Sequence, residues 1–272
     1  MSTTDTTGTT TDRIEVRSAD GTPLAVWVGG EGPAVVLVHG SPSEHSTFDP
    51  LVAELRHHFT TFAMDRRGSG ASGDTAPYAV EREFEDVAAV VDEAAARSGG
   101  PVVLWGHSYG ANPAMGGAAL STDVHRLVLY EPSFGLSYPD GAIEAIEEAV
   151  AAGDRAGAVR AAFVDTGVMT AEEFDDFRAS PRWPKVLDSV PTMAREARVE
   201  HTWTYPPGGF GTITAPTLLL TGSETPPGVA ELTSRAAAAI PGSEVRVLEG
   251  HGHFAHRSDP AMVAAIVREF AR

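Results

Sequence analysis

The chain has 272 residues, 42% hydrophobic and 21% charged, a length and balance that suit one large core with an insertion. Lys and Arg total 20 against 37 Asp and Glu, a formal net charge of −17 that argues against nucleic acid or an anionic membrane surface as a partner and favours a neutral or cationic substrate. The absence of Cys excludes disulfides, thiolate metal sites and a thiol nucleophile, and a single lysine, Lys185, disfavours Schiff-base chemistry.

Residues 1–12 are Ser, Thr, Asp and Gly with almost no apolar content, and a disordered tail is expected there. No secretory leader and no apolar run of roughly 18 residues is readable, so a cytoplasmic protein is expected. Arg13 to Arg17 and Leu24 to Val28 alternate around Asp20-Gly21, which predicts an antiparallel hairpin. Six nearly continuous apolar runs follow, at Ala34 to Val38, Thr60 to Met64, Pro101 to Trp105, His125 to Tyr130, Pro216 to Thr221 and Glu244 to Leu248. Such runs suit strands of a parallel sheet buried on both faces. Helical patterns separate them at Phe48 to His57, Glu81 to Arg97, Ala111 to Leu120, Val229 to Ala239 and Pro260 to Ala271. The alternation predicts an α/β class fold, a doubly wound and mostly parallel eight-stranded sheet.

One stretch breaks the alternation. From Pro132 to Pro207 the patterns are helical, at Asp140 to Ala152, Arg155 to Phe163 and Pro184 to Glu200, and Thr170-Ala171-Glu172-Glu173 reads as a capping box opening another short helix. The expected organisation is therefore a core of residues 13–131 and 208–272 with a helical lid inserted at 132–207.

The most informative segment is Gly106-His107-Ser108-Tyr109-Gly110, between an apolar strand and an Ala-rich helix. A sharp strand-to-helix turn forces its central residue into a strained conformation that only very small neighbours two positions away tolerate, hence Gly106 and Gly110. The strain lifts a serine hydroxyl above the sheet, and the helix N-terminus points backbone N–H groups at the reacting atom. Ser108 is the expected nucleophile.

From residue 13 onward the chain resembles the α/β-hydrolase fold family. Four motifs fall in order: His39-Gly40-Ser41-Pro42 after the third strand, Asp65 to Ser72 after the fourth, the elbow after the fifth, and Gly250-His251-Gly252-His253-Phe254 after the last. The resemblance implies that the backbone amides of Ser41 and Tyr109 form the oxyanion hole, since Pro42 has no N–H to give. It also implies His253 as the base. The usual acid position reads Gly222-Ser223-Glu224-Thr225-Pro226, with Thr225 where family members commonly carry Asp and Glu224 one residue early. Glu131, at the end of the preceding core strand, occupies an alternate acid position used by part of the family and is preferred, with Glu224 as its rival.

Competing readings of these residues are weaker. His251, His253 and His256 could bind a metal, but they lack the helical i,i+4 pair or thiolate partners of common zinc sites. Gly68 to Gly73 fits G-x-G-x-x-G without opening a helix and reads as a turn, and the acidic stretch Glu81 to Asp92 reads as a solvated face. Neither cofactor nor metal is expected; oligomeric state is not addressed by any pattern. The expectation is a serine hydrolase acting on a carboxylic ester or lactone, with a small, mostly apolar substrate suggested by the lid residues Phe134, Tyr138, Phe163, Phe174, Phe177, Trp183 and Trp203. Carbon–carbon hydrolases, amidases, perhydrolases or haloperoxidases, and a non-hydrolytic cyclase or small-molecule-binding protein are the alternatives on the same fold.

Overall fold

A computed structural model describes residues 2–4, 10–166, 168–203, 205 and 209–272. Its sheet has nine strands: β1 (Ser2–Thr4), β2 (Thr10–Arg17), β3 (Pro23–Gly30), β4 (Ala34–Val38), β5 (Thr60–Met64), β6 (Val102–His107), β7 (Val124–Tyr130), β8 (Thr217–Gly222) and β9 (Glu244–Leu248). Their spatial order is β1-β2-β3-β5-β4-β6-β7-β8-β9. Strands β4 to β9 run parallel to one another, while β1, β2 and β3 form an antiparallel margin whose β3 pairs antiparallel with β5.

Eight of these are the strands expected from the sequence; β1 is a correction. Ser2–Thr4 pairs with Thr10–Asp12 in the region expected to be a disordered tail. Low apolar content argued for disorder there, but β-branched Thr suits extended backbone and β2 offers an otherwise open edge. The rest of that tail, residues 5–9, lies outside the described residues.

The pleat sorts side chains onto two faces with period two. Val36, Val38, Phe62, Met64, Leu104, Leu127, Leu129 and Leu219 face helices α2 (Val80–Ser98), α3 (Ala111–Leu120) and α9 (Pro227–Ala239). The intervening Val35, Leu37, Ala63, Val103, Trp105, Val128 and Leu220 face α1 (Asp49–Leu55) and α11 (Pro260–Phe270). Both faces of the parallel strands are thereby covered, which is why their sequences read as continuous apolar runs.

The order reverses at β4, which lies between β5 and β6. The chain leaves β4 for α1 on one face and leaves β6 for α3 on the other, so a crevice opens outside the carboxyl ends of these two strands. Register places Val38 beside Gly106 and Tyr130 beside His107. The loop after β4, the elbow after β6 and the residue after β7 therefore meet at one level.

Between β7 and β8 the described residues form helices only: α4 (Ala142–Ala151), α5 (Arg155–Phe163), α6 (Ala171–Ala179), α7 (Trp183–Asp188) and α8 (Met193–Thr202). Thr170 and Glu173 make the reciprocal capping box expected of them. The single helix expected over Pro184 to Glu200 is two, separated by a 3-10 turn at Val190–Thr192, because Pro191 has no N–H to continue the ladder. Ile143, Ile146, Val159, Phe174, Val186 and Met193 give these helices a core of their own. A short helix not expected from the sequence, α10 (Ala255–Ser258), follows β9. Among the described residues, no helix is long and apolar enough to cross a membrane.

Candidate active site

Ser108 occupies the turn out of β6 with φ 54°, and Glu131, the residue after β7, has φ 50°. Among the described residues these are the non-glycine residues in the left-handed region, where an L side chain costs of order 1–3 kcal/mol and persists only when its surroundings impose it. The elbow's glycines are required by contact. A Cβ on Gly110 would lie 2.2 Å from the His39 carbonyl oxygen, and one on Gly106 would lie 2.7 Å from Ala111 Cα. Gly40 is equally close to the nucleophile, since a Cβ there would stand 2.9 Å from Ser108 Cβ. The loop carrying Ser41 is thus pressed against the Ser108 side chain.

Glu131 is fully buried, and each carboxylate oxygen has a task. Oε2 accepts from His253 Nδ1 at 2.5 Å. Oε1 accepts from the Gly222 amide at 2.8 Å, from Thr225 Oγ1 at 2.5 Å and from Thr221 Oγ1 at 3.2 Å. Burial works to raise the Glu131 pKa, but the His253 contact and these hydrogen bonds outweigh it and hold the carboxyl below its ordinary range. Glu224 is exposed, and its backbone N–H bonds the His251 carbonyl. The structure brings His253 to Glu131 and leaves Glu224 turned to solvent.

The residues that precede Ser108 and Glu131 fasten the His253 loop. His107 Nε2 donates to the His253 carbonyl at 2.8 Å. Tyr130 donates its hydroxyl to the Gly252 carbonyl and accepts from the Ala255 amide at 3.2 Å. Burial pushes the His107 pKa well down, so its ring is neutral and keeps the N–H that this bond requires. Ser108 and His253 are both partly accessible, whereas Tyr109 is buried.

The three histidines after β9 do not converge on a metal. His253 faces Glu131, His251 Nε2 lies 3.8 Å from Asp259, and His256 is buried against Phe48, Trp105 and His107. Among the described residues, Glu44, His45 and Asp65 are the group of His and carboxylate side chains close enough to share a cation. His45 Nδ1 lies 2.7 Å from Glu44 and 2.9 Å from Asp65. Burial would lower the His45 pKa, yet the two carboxylates raise it to about 9. The raised pKa favours a protonated ring held between the two carboxylates, and the ring also stacks on Trp27 at 3.4 Å.

Sequence reasoning missed a buried polar network beneath Ser41 and Tyr109, the expected oxyanion residues. Arg66, 1% exposed, reaches Glu83 and Glu196, each at 2.7 Å, and Glu196 also accepts from Ser41 Oγ. The acidic stretch Glu81 to Asp92, expected to be a solvated face, needs correction here. Its Glu83 and Asp86 are each 1% exposed and pair with Arg66 and Arg67. The charged pattern of α2 carried no sign of which carboxylates turn inward; the nearest available signal was the adjacent pair Arg66-Arg67 directly after a buried strand. The aromatics between β7 and β8 pack in two places: Trp183 meets Phe174 and Phe177 edge-on at 5.7 and 5.6 Å, and Phe134 stacks on Trp203 at 4.7 Å with both rings against Phe84 of α2.

Comparison with known proteins agrees with this architecture. The sequence profile of the Alpha/beta hydrolase family matches residues 35–266, and the chain belongs to that family. An alpha/beta hydrolase from Sphaerobacter thermophilus DSM 20745 superposes with a TM-score of 0.84 at 33% identity, covering 95% of this chain and 100% of the other. The 2-(acetamidomethylene)succinate hydrolase of Mesorhizobium japonicum is 27% identical over 251 residues, 89% of this chain and 88% of that protein. The enol-lactonase of Burkholderia xenovorans LB400 has the same fold, with a TM-score of 0.70 at 22% identity over 95% of this chain and 99% of its own. Membership implies hydrolysis of a small-molecule substrate.

Proposed function

We propose that this α/β-hydrolase cleaves a carboxylic ester or lactone through an acyl-enzyme on Ser108. The observation that carries the reading is the 2.5 Å contact between His253 Nδ1 and Glu131, together with a serine held at positive φ whose neighbour His107 bonds the His253 carbonyl. Ser108 Oγ attacks the acyl carbonyl while His253 Nε2 takes its proton. Glu131 holds Nδ1–H, fixes the tautomer and stabilises the imidazolium without taking the proton itself. The carbonyl electron pair moves onto oxygen, where the Ser41 and Tyr109 amides receive it, a donor of this kind contributing about 2.7–4 kcal/mol. His253 then protonates the leaving alkoxide; in the second half it deprotonates water, which attacks the ester carbonyl and returns Ser108.

Serine at the elbow opposes dehalogenase and epoxide-hydrolase chemistry, which needs a carboxylate nucleophile there. Residues 132–207 act as the lid, with 13–131 and 208–272 as the catalytic core. The substrate is small and mostly apolar in its acyl part. Amide cleavage is the second reading, favoured by similarity to the 2-(acetamidomethylene)succinate hydrolase. A panel of short-acyl esters, aryl esters, lactones and N-acyl amides, turned over by wild type and Ser108→Ala, tests the proposal. Ester or lactone turnover that vanishes in the variant supports it; undiminished turnover by the variant refutes it, and a preference for the amides selects the second reading.

A further inference from the structure

Among the described residues that donate to the Arg66 network or accept from it, Glu196 is the one that comes from the helices between β7 and β8. Its carboxylate joins two core elements. Oε1 accepts from Arg66 Nη2 at 2.7 Å, and Oε2 accepts from the Ser41 hydroxyl. Arg66 in turn underlies both expected oxyanion residues. Its Nε donates to the His39 carbonyl at 2.9 Å, two residues before Ser41, and its guanidinium lies 4.6 Å from the centre of the Tyr109 ring. Glu83 and Tyr78 complete the Tyr109 side, with Tyr78 Oη 2.8 Å from Glu83 and 2.7 Å from Tyr109 Oη.

Helix α8 is fastened over the same loops by its neighbours. Arg195 Nη1 donates to Asp74 at 2.6 Å and Nη2 to the Arg67 carbonyl at 3.2 Å, while Ser189, just before α8, donates its hydroxyl to the Ser43 carbonyl at 2.8 Å. These contacts seat the helix; the Glu196 contact alone among them reaches the side chain of Ser41. At 1% exposure, a glutamate at this position would be costly without the cation and hydroxyl it meets.

We infer that Glu196 is a positioning residue for the reaction: by holding the Ser41 hydroxyl and Arg66 it sets the Ser41 backbone amide toward the Ser108 side chain, so the oxyanion hole is complete only when α8 is seated. This inference rests on the serine-hydrolase reading above. Its consequence is that the lid contributes to the chemical step as well as to substrate binding. Opening α8 to admit substrate withdraws Glu196 and relaxes the donor; closing restores it around the bound acyl group.

The experiment is a double-mutant cycle with Ser41→Ala, Glu196→Ala, their combination and Glu196→Gln, read as kcat and KM on the best ester and as the rate of Ser108 labelling by a fluorophosphonate. Each alanine variant should lose kcat and labelling rate by about 10- to 100-fold with KM little changed, the scale of a small misplacement at a reacting centre. The double variant should be no slower than the worse single one, because both substitutions cut the same tether. Glu196→Gln, whose Oε1 can still accept from Arg66 while its amide NH2 donates to the Ser41 hydroxyl, should recover most of the loss. If kcat of folded Ser41→Ala matches wild type, or if the single losses multiply in the double variant, the inference is overturned. Ser41→Ala removes one oxygen from a partly accessible position, so it carries the test even where Glu196→Ala does not fold. Failure of the underlying reading looks different: wild type itself would not be labelled at Ser108.

Discussion

Thr225 Oγ1 lies 2.5 Å from Glu131 Oε1. The residue standing where relatives commonly place the acid has no carboxylate here; it donates to one. The carboxylate stands on the turn after β7 and its hydroxyl donor on the turn after β8.

Glu131→Gln should lower kcat by about 10⁴, since the amide cannot hold His253 in the correct tautomer. Glu224→Gln, at an exposed position, should stay within about twofold of wild type. Steady-state kinetics on a common ester decides between them: a large loss confined to Glu224→Gln would reverse the assignment.

Thr225→Val removes a hydrogen bond to a buried charge, worth roughly 1.5–3 kcal/mol. That bond helps keep the Glu131 pKa low, so its loss should raise it. A carboxyl with a depressed folded pKa contributes stability above its unfolded pKa and loses it as pH falls through the folded value. In the variant the acid-side loss should be smaller and complete at a higher pH, so its melting temperature should lie below wild type near neutral pH and converge on it as the pH falls.

Glu200 presents the opposite sign. It is buried, bonded by Tyr138 Oη at 2.5 Å, and has no cation directly on it among the described residues. Burial raises its pKa from 4.5 to about 7, with Glu196 adding to the rise and Arg66 opposing it. Native-state proton binding therefore stabilises the fold below pH 4.5, and this is lost as pH rises through 7, a difference of roughly 3 kcal/mol. Glu200→Gln should melt near wild type in weak acid and several degrees above it near pH 8. A constant difference across that range would show that Glu200 does not titrate there.

Arg66→Met should cost about 3–5 kcal/mol, because it strands Glu83 and Glu196 without their cation. Chemical denaturation measures this directly. Adding Glu83→Gln and Glu196→Gln to Arg66→Met should return a large part of the loss; if it returns none, packing of the guanidinium rather than its charge is what the fold needs.

Gly110→Ala would place a methyl 2.2 Å from a backbone carbonyl that has nowhere to move. Overpacking of this kind costs about 1–3 kcal/mol or more, and the shift it forces falls on Ser108. Activity should drop well beyond the fall in melting temperature; a fully active variant would mean that the elbow is looser than its contacts indicate.

The sequence by itself determined the α/β class, the eight strands and the tight strand-to-helix turn at Ser108, and it proposed His253 as the base. These follow from local physics: apolar runs of strand length, helix-period patterns between them, and glycines at a turn that tolerates nothing larger. It also narrowed the acid to Glu131 or Glu224. That Glu131 and not Glu224 meets His253 is tertiary, because the two follow neighbouring strands and only the register of β7 and β8 aims one of them at the ring. Glu83 and Glu196 were out of reach for the same reason. A buried glutamate has no composition of its own, and what marks it is a partner distant in the chain: Arg66 lies 17 residues from Glu83 and 130 from Glu196, brought to both by the fold alone. The edge strand Ser2–Thr4 was hidden differently, since pairing at a sheet margin needs no apolar residues and leaves no apolar pattern to read.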